Sequence, residues 1–192
     1  MAYCGKHTFS LIILLIAAIF AVAATSQCAI LPAICRAEEG FGAENFEEMA
    51  SYTTSFASSG TGRVNNIRLA AAALNGYTVQ PGQELSFNAA VGERTTARGY
   101  SVAKVIVDGE YVEGVGGGVC QVSSTLYNAW VLAGLDVVRV QGHSLPSGYV
   151  PMSQDATVSK YIDLVLKNDT AFPVQVRTKT DGTDLNIAVF GK

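Results

Sequence analysis

The chain has 192 residues, 49% of them apolar and 15% charged, with 13 lysines and arginines against 16 aspartates and glutamates. An excess of acid argues against a nucleic-acid partner. No group of His, Cys and carboxylates has metal-ligand spacing, and the one glycine run is followed by Cys-Gln rather than a lysine, so the sequence implies no metal, nucleotide or other cofactor.

Residues 1–37 carry Lys6, an apolar core from Leu11 to Ala24, and a second apolar patch from Cys28 to Leu31. They read as a signal peptide or an N-terminal membrane anchor. The core alone is shorter than the roughly 20 apolar residues a spanning helix needs, although extension through Leu31 suffices, and Cys35-Arg36-Ala37 is a plausible cleavage site. Either reading exports the rest of the chain to the outer face of the cytoplasmic membrane or the cell wall, and a retained leader adds the membrane as a partner. Three of the four cysteines, Cys4, Cys28 and Cys35, fall in this leader. Cys120 is then an unpaired thiol in an exported domain, which flags reactivity.

Residues 38–62, acidic and then rich in Ser, Thr and Gly, read as a tether ending in a short strand near Tyr52–Phe56. The domain proper is 63–192, a length suited to one hydrophobic core. Ile67, Ala70, Ala71 and Leu74 have helical spacing, which predicts a helix over Arg63–Leu74 with Asn65 or Asn66 as its cap and Gly76 as its stop. Pro81-Gly82 marks a turn before a strand over Glu84–Phe87, and Asn88 to Gly99 reads as irregular. Ala103–Val107 and Tyr111–Val112 flank Asp108-Gly109 as a hairpin. A second helix is predicted over Val122–Ala133, ended by Gly134, with Cys120 just outside its first turn.

Leu135–Val140 reads as a buried strand leading to Gly142-His143. Further strands are expected at Asp155–Val158, Ile162–Leu166, Val174–Thr178 and Leu185–Val189, the last two joined at Asp181-Gly182. The sum is an α+β fold with a mostly antiparallel sheet and two main helices, the cysteine lying at the N-terminus of the second.

Gly116-Gly117-Gly118 brings Cys120 to a helix start, where free backbone N–H groups stabilise negative charge on sulfur or on an oxyanion. Beyond the leader His143 is the only imidazole. If a thiol–imidazole pair exists it is Cys120 with His143, the ring removing the thiol proton and later protonating a leaving amine. Asp155 or a backbone carbonyl is the candidate to orient the ring. Gln121 offers a backbone N–H as oxyanion donor and a side-chain amide for substrate. Gly117 and Gly118 offer close substrate approach, and Ser123 is a further polar group there. Arg94 and Arg98 offer planar guanidinium groups for a substrate carboxylate, or are solvated loop charges. Tyr111, Tyr127, Trp130 and Tyr149 read as core or groove walls. Against all of this stands a buried, inert cysteine after a glycine turn.

The run Gly116–Leu126 with Tyr127-Asn128-Ala129, then Gly142-His143-Ser144, Tyr149-Val150-Pro151 and Asp155-Ala156-Thr157-Val158, resembles the VanW-like domain family. Pro81–Asn88 and Gly99-Tyr100 extend the resemblance from about Arg63 to Gly191. It departs at Met152-Ser153-Gln154, where the family usually has a glycine. Members occur in glycopeptide-resistance gene clusters and in cell-envelope proteins, some beside peptidoglycan-binding or peptidoglycan-modifying modules, and some are understood to be cysteine L,D-transpeptidases. The resemblance therefore implies a cell-wall protein acting on peptidoglycan stem peptides, with Cys120 as acyl-accepting nucleophile and His143 as its base. A cysteine peptidase and a non-catalytic cell-wall or glycopeptide-binding module remain the alternatives.

Overall fold

The computed structural model describes residues 45–107 and 109–192. The leader, and with it the signal-or-anchor reading, lies outside the described residues. Among those described, no helix is long and apolar enough to cross a membrane.

The first element is a strand, β1 (Glu47–Ser55), longer than the short strand expected at the end of a tether. It pairs antiparallel along its length with the last strand, β9 (Asp184–Gly191), from Glu47 opposite Gly191 to Ser55 opposite Asp184. Its weak alternation suits an edge strand, one face of which buries Thr54. Strand β8 (Val174–Thr180) pairs with the other side of β9, and β2 (Thr78–Val79) completes a sheet in the order β1-β9-β8-β2. A second sheet runs β3-β7-β6, from β3 (Glu84–Ser86), β7 (Val165–Lys167) and β6 (Asp136–Arg139). The expected hairpin is formed by β4 (Val102–Val107) with β5 (Glu110–Val115). Every pairing among the described strands is antiparallel.

Helix α1 (Thr61–Leu74) begins two residues before the expected start, with Gly60 at its N-cap and no side-chain cap bond. Neither asparagine caps it, because both already lie within the helix. Buried Asn66 instead accepts the Ser101 N–H at 2.7 Å and donates to the carbonyls of Ser101 and Gly117, each at 2.9 Å. At the last residue of the expected strand and the start of the segment expected to be irregular, Phe87–Val91 forms a short helix, α2, whose N-cap Ser86 accepts the Ala89 N–H at 3.0 Å. Helix α3 (Val119–Leu132) starts three residues earlier than the spacing predicts, so Cys120 sits inside its first turn.

The two long helices pack on the four-stranded sheet. Ala70 and Ala71 let α1 approach closely, while Leu126, Ala129 and Trp130 of α3 meet Leu185, Ile187 and Val189 of β9 in one core. Full burial of each large apolar side chain is worth about 1.5–3 kcal/mol. Trp130 also places its indole N–H on the Asp136 carbonyl at 3.0 Å, tying β6 to α3.

Asp155–Val158 forms no strand, although it is extended. Its backbone is matched to the side of α3, as described below. In the loop before it, Ser153 is the one non-glycine residue among those described with positive φ, at 68°. Ser153 lies in the Met152-Ser153-Gln154 stretch where the sequence departs from the family it resembles, and a Cβ in that conformation costs roughly 1–2 kcal/mol. Ser153→Gly is expected to raise stability by about 0.5–1 kcal/mol after the extra chain entropy of glycine is set against that relief. Thermal melting reads it, and an unchanged or lower melting point counts against strain there.

Candidate active site

Three elements meet at Cys120. Gly118, the N-cap of α3, has φ 104° and ψ −19°, which favours glycine. A Cβ there would lie 2.8 Å from Arg63 Cγ and 3.2 Å from the Arg63 carbonyl, so α1 leans directly on the start of α3. At Gly117 a Cβ would run into the Lys104 carbonyl of β4. The glycine run is thus a point of close backbone contact.

A polar stripe on α3 then brings in the histidine. Cys120, Ser124 and Asn128 are four residues apart and share one face of the helix. Asn128 donates to the Gln154 carbonyl at 2.7 Å, Ser124 Oγ accepts the Ala156 N–H at 2.9 Å, and Cys120 Sγ lies 3.5 Å from the Val158 nitrogen and 3.4 Å from its carbonyl oxygen. Four helical residues rise about 6 Å and two extended residues about 6.7 Å, so helix and segment stay in step over three contacts. Ser123 adds a bond to the Ala156 carbonyl at 2.6 Å. The intervening residues face the other way. Thr157 donates its N–H to the Gln141 carbonyl at 2.7 Å, and Asp155 Oδ2 accepts the His143 N–H at 2.5 Å. Residues 141–143 are thereby laid beside the segment, with His143 next to the thiol.

Asp155 Oδ2 also lies 2.5 Å from His143 Nδ1, which leaves Nε2 as the nitrogen free for chemistry. The imidazole is near enough to Cys120 for the thiol to shift its titration. Burial alone would lower the His143 pKa, but the hydrogen bond and charge of Cys120, and then those of Asp155, raise it above 6.5. For Asp155, burial would raise the pKa, and hydrogen bonds from the His143 backbone and ring hold it below 3.8. The raised histidine contributes stability that is complete below pH 6.5 and fades as pH rises through its folded value. The depressed aspartate contributes stability that is complete above pH 3.8 and is lost as pH falls through its own folded value. Their joint contribution is expected to be greatest between pH 3.8 and 6.5. Urea unfolding compared between wild type and His143→Ala isolates it, and a difference that grows towards pH 9 would contradict the pairing.

The other residues singled out in the sequence lie elsewhere or are already engaged. Gln121 is buried, with its amide donating to Thr54 Oγ1 at 2.9 Å and the Ser55 carbonyl at 3.0 Å, facing β1 rather than the thiol. Its backbone N–H is held by the Gly118 carbonyl at 3.0 Å. The Cys120 N–H, in contrast, has no partner among the described residues. Arg94 bonds Asn88 Oδ1 at 2.8 Å and Arg98 bonds the Glu93 carbonyl at 3.0 Å, both within the 88–99 segment.

Two neighbours of Cys120 that the sequence reading did not assign to the site are Arg63 and Tyr149. The Arg63 guanidinium carbon is 5.8 Å from the Tyr149 ring centre. Burial and the charge of Cys120 push the Tyr149 hydroxyl well above the usual phenol range, against hydrogen bonds from Ser124 and Ser147 and the charge of Arg63. The hydroxyl therefore stays protonated.

Fold and geometry together define a single α+β domain in which the one described cysteine lies near a histidine held by a carboxylate. A family model described as VanW like protein matches residues 62–190, and the chain belongs to that family. It is 43% identical over 145 residues to the uncharacterized protein YoaR of Bacillus subtilis, covering 75% of this chain and 48% of that one. It is 31% identical over 134 residues to the vancomycin B-type resistance protein VanW of Enterococcus faecalis, covering 67% of this chain and 49% of that one. The chain thus spans about half the length of these relatives. No solved structure matches.

Proposed function

We propose that this domain is a cysteine acyltransferase of the L,D-transpeptidase type, acting outside the cell membrane on peptidoglycan stem peptides. The observation that carries the reading is the arrangement of Cys120, His143 and Asp155, with the carboxylate on one ring nitrogen of a histidine that lies beside the thiol. His143 takes the thiol proton, Cys120 Sγ forms a bond to a peptide carbonyl carbon, and the carbonyl electrons move to oxygen. The Cys120 N–H, in the first turn of α3, is the candidate donor to that oxyanion. On collapse the carbon–nitrogen bond breaks, and His143 returns its proton to the departing amine. A second stem's amine then attacks the thioester, giving its proton to His143 as the new carbon–nitrogen bond forms and the sulfur leaves. A relative named as a vancomycin B-type resistance protein fits a role at the cell wall.

The test is to incubate purified peptidoglycan with the protein and analyse its muropeptides. New cross-links that depend on Cys120 support transfer. Stem-peptide cleavage without cross-links makes the protein a peptidase, and unchanged muropeptides together with an unreactive thiol make it a binding module.

A further inference from the structure

Arg63 lies along the start of α3, its Cγ in the space that a side chain at Gly118 would fill, two residues before the thiol. Its guanidinium faces the Tyr149 ring and donates one hydrogen bond, to Ser59 Oγ at 2.8 Å. A guanidinium has five N–H donors in a planar fork suited to a carboxylate. Among the described residues no carboxylate pairs with it. Burial pulls the Arg63 pKa below the usual arginine value, opposed by the charges of Tyr149 and Cys120. A half-buried cation lacking a carboxylate partner is costly unless an anion arrives to share its site. Arg94 and Arg98 are engaged within their own loop, whereas Arg63 packs against the residue two before the thiol.

We infer that Arg63, lying against Tyr149 at the start of α3, is the subsite that receives a carboxylate of the peptide on which Cys120 acts. This rests on the acyl-transfer reading of the same thiol and gives its substrate a chemical requirement, an anionic group close to the scissile carbonyl. The carboxylate is either the free C-terminus of the peptide or one of its acidic side chains.

Iodoacetate and iodoacetamide test the subsite without turnover. Both alkylate sulfur by the same displacement of iodide, and they differ only in carrying a carboxylate or an amide next to the reacting carbon. The ratio of iodoacetate to iodoacetamide rates at Cys120 is expected to fall about tenfold in Arg63→Gln, the scale of one charge-assisted hydrogen bond, and to be partly kept in Arg63→Lys. If Arg63 only supports the thiol or the fold, both reagents slow together. An unchanged ratio with brisk alkylation therefore overturns the subsite and leaves the acyltransferase standing, whereas a thiol inert to both reagents removes both.

A peptide with a free C-terminus and its C-terminal amide, used to shield Cys120 from iodoacetamide, then separate the two sources. Better shielding by the free acid in wild type, lost in Arg63→Gln, assigns the C-terminus. Equal shielding by acid and amide of a peptide bearing an acidic side chain, lost in Arg63→Gln, assigns the side chain. Shielding that survives in Arg63→Gln, or none from either peptide, overturns the inference.

Discussion

Cys120→Ala is expected to abolish acyl transfer, a loss of roughly 10,000-fold or more, because no other group in the site can carry the acyl chain. Ser123 and Ser124 are the nearest hydroxyls in sequence, but Ser123 is spent on the Ala156 carbonyl and Ser124 on the Cys120 carbonyl and the Ala156 N–H. Cys120→Ser should be nearly as damaging, since a hydroxyl gives up its proton far less readily than a thiol. The fold should survive both changes, because the side chain is only partly buried and its single atom of difference sits at the edge of the core. Muropeptide cross-linking and melting measured on the same samples separate the two effects. Wild-type cross-linking by Cys120→Ala would end the enzyme reading.

The second large effect belongs to Asp155. Its Oδ2 accepts from both the His143 backbone and its ring, so Asp155→Asn either turns an amide N–H towards those donors or offers an uncharged oxygen. In the first case the ring is forced into the other tautomer, with its proton on the nitrogen that should receive the thiol's. Removing the equivalent carboxylate where such a triad is established costs about 10,000-fold, and a loss of roughly 100- to 10,000-fold is expected here. His143→Ala should be as severe. Near-normal transfer in both variants would mean that the helix terminus alone activates the thiol, and the histidine and carboxylate would be scaffold.

Much of the frame was open to sequence reading because it follows local periodicity. Ile67, Ala70, Ala71 and Leu74 announce α1, and Asp108-Gly109 and Asp181-Gly182 announce their hairpins. Which imidazole could pair with Cys120 was readable by elimination, with one thiol and one imidazole beyond the leader. What was hidden depends on register and on contacts between distant segments. Starting α3 at Val119 rather than Val122 turns Gln121 into the core, a rotation invisible in a glycine run that fits either start. Asp155–Val158 has the composition of a strand because it is extended, yet its partners are helix side chains, and no pattern within the segment distinguishes the two. Arg63 and Tyr149 lie 86 positions apart and meet only through the packing of α1 on the start of α3, so neither carries a local sign of its position.

The polar stripe of α3 also determines when the chemistry comes into being. The thiol belongs to a helix packed into the core, whereas the imidazole and its carboxylate ride on an irregular stretch fastened by a few side-chain bonds at Gln154, Ala156 and Val158. Such stretches open at far smaller free energies than the sheet beneath them. On the acyl-transfer reading, heating or mild denaturant is therefore expected to silence the site while the spectroscopic signature of the domain is still native. In a chain emerging from synthesis, Cys120 remains an ordinary cysteine until some forty further residues have followed it and docked.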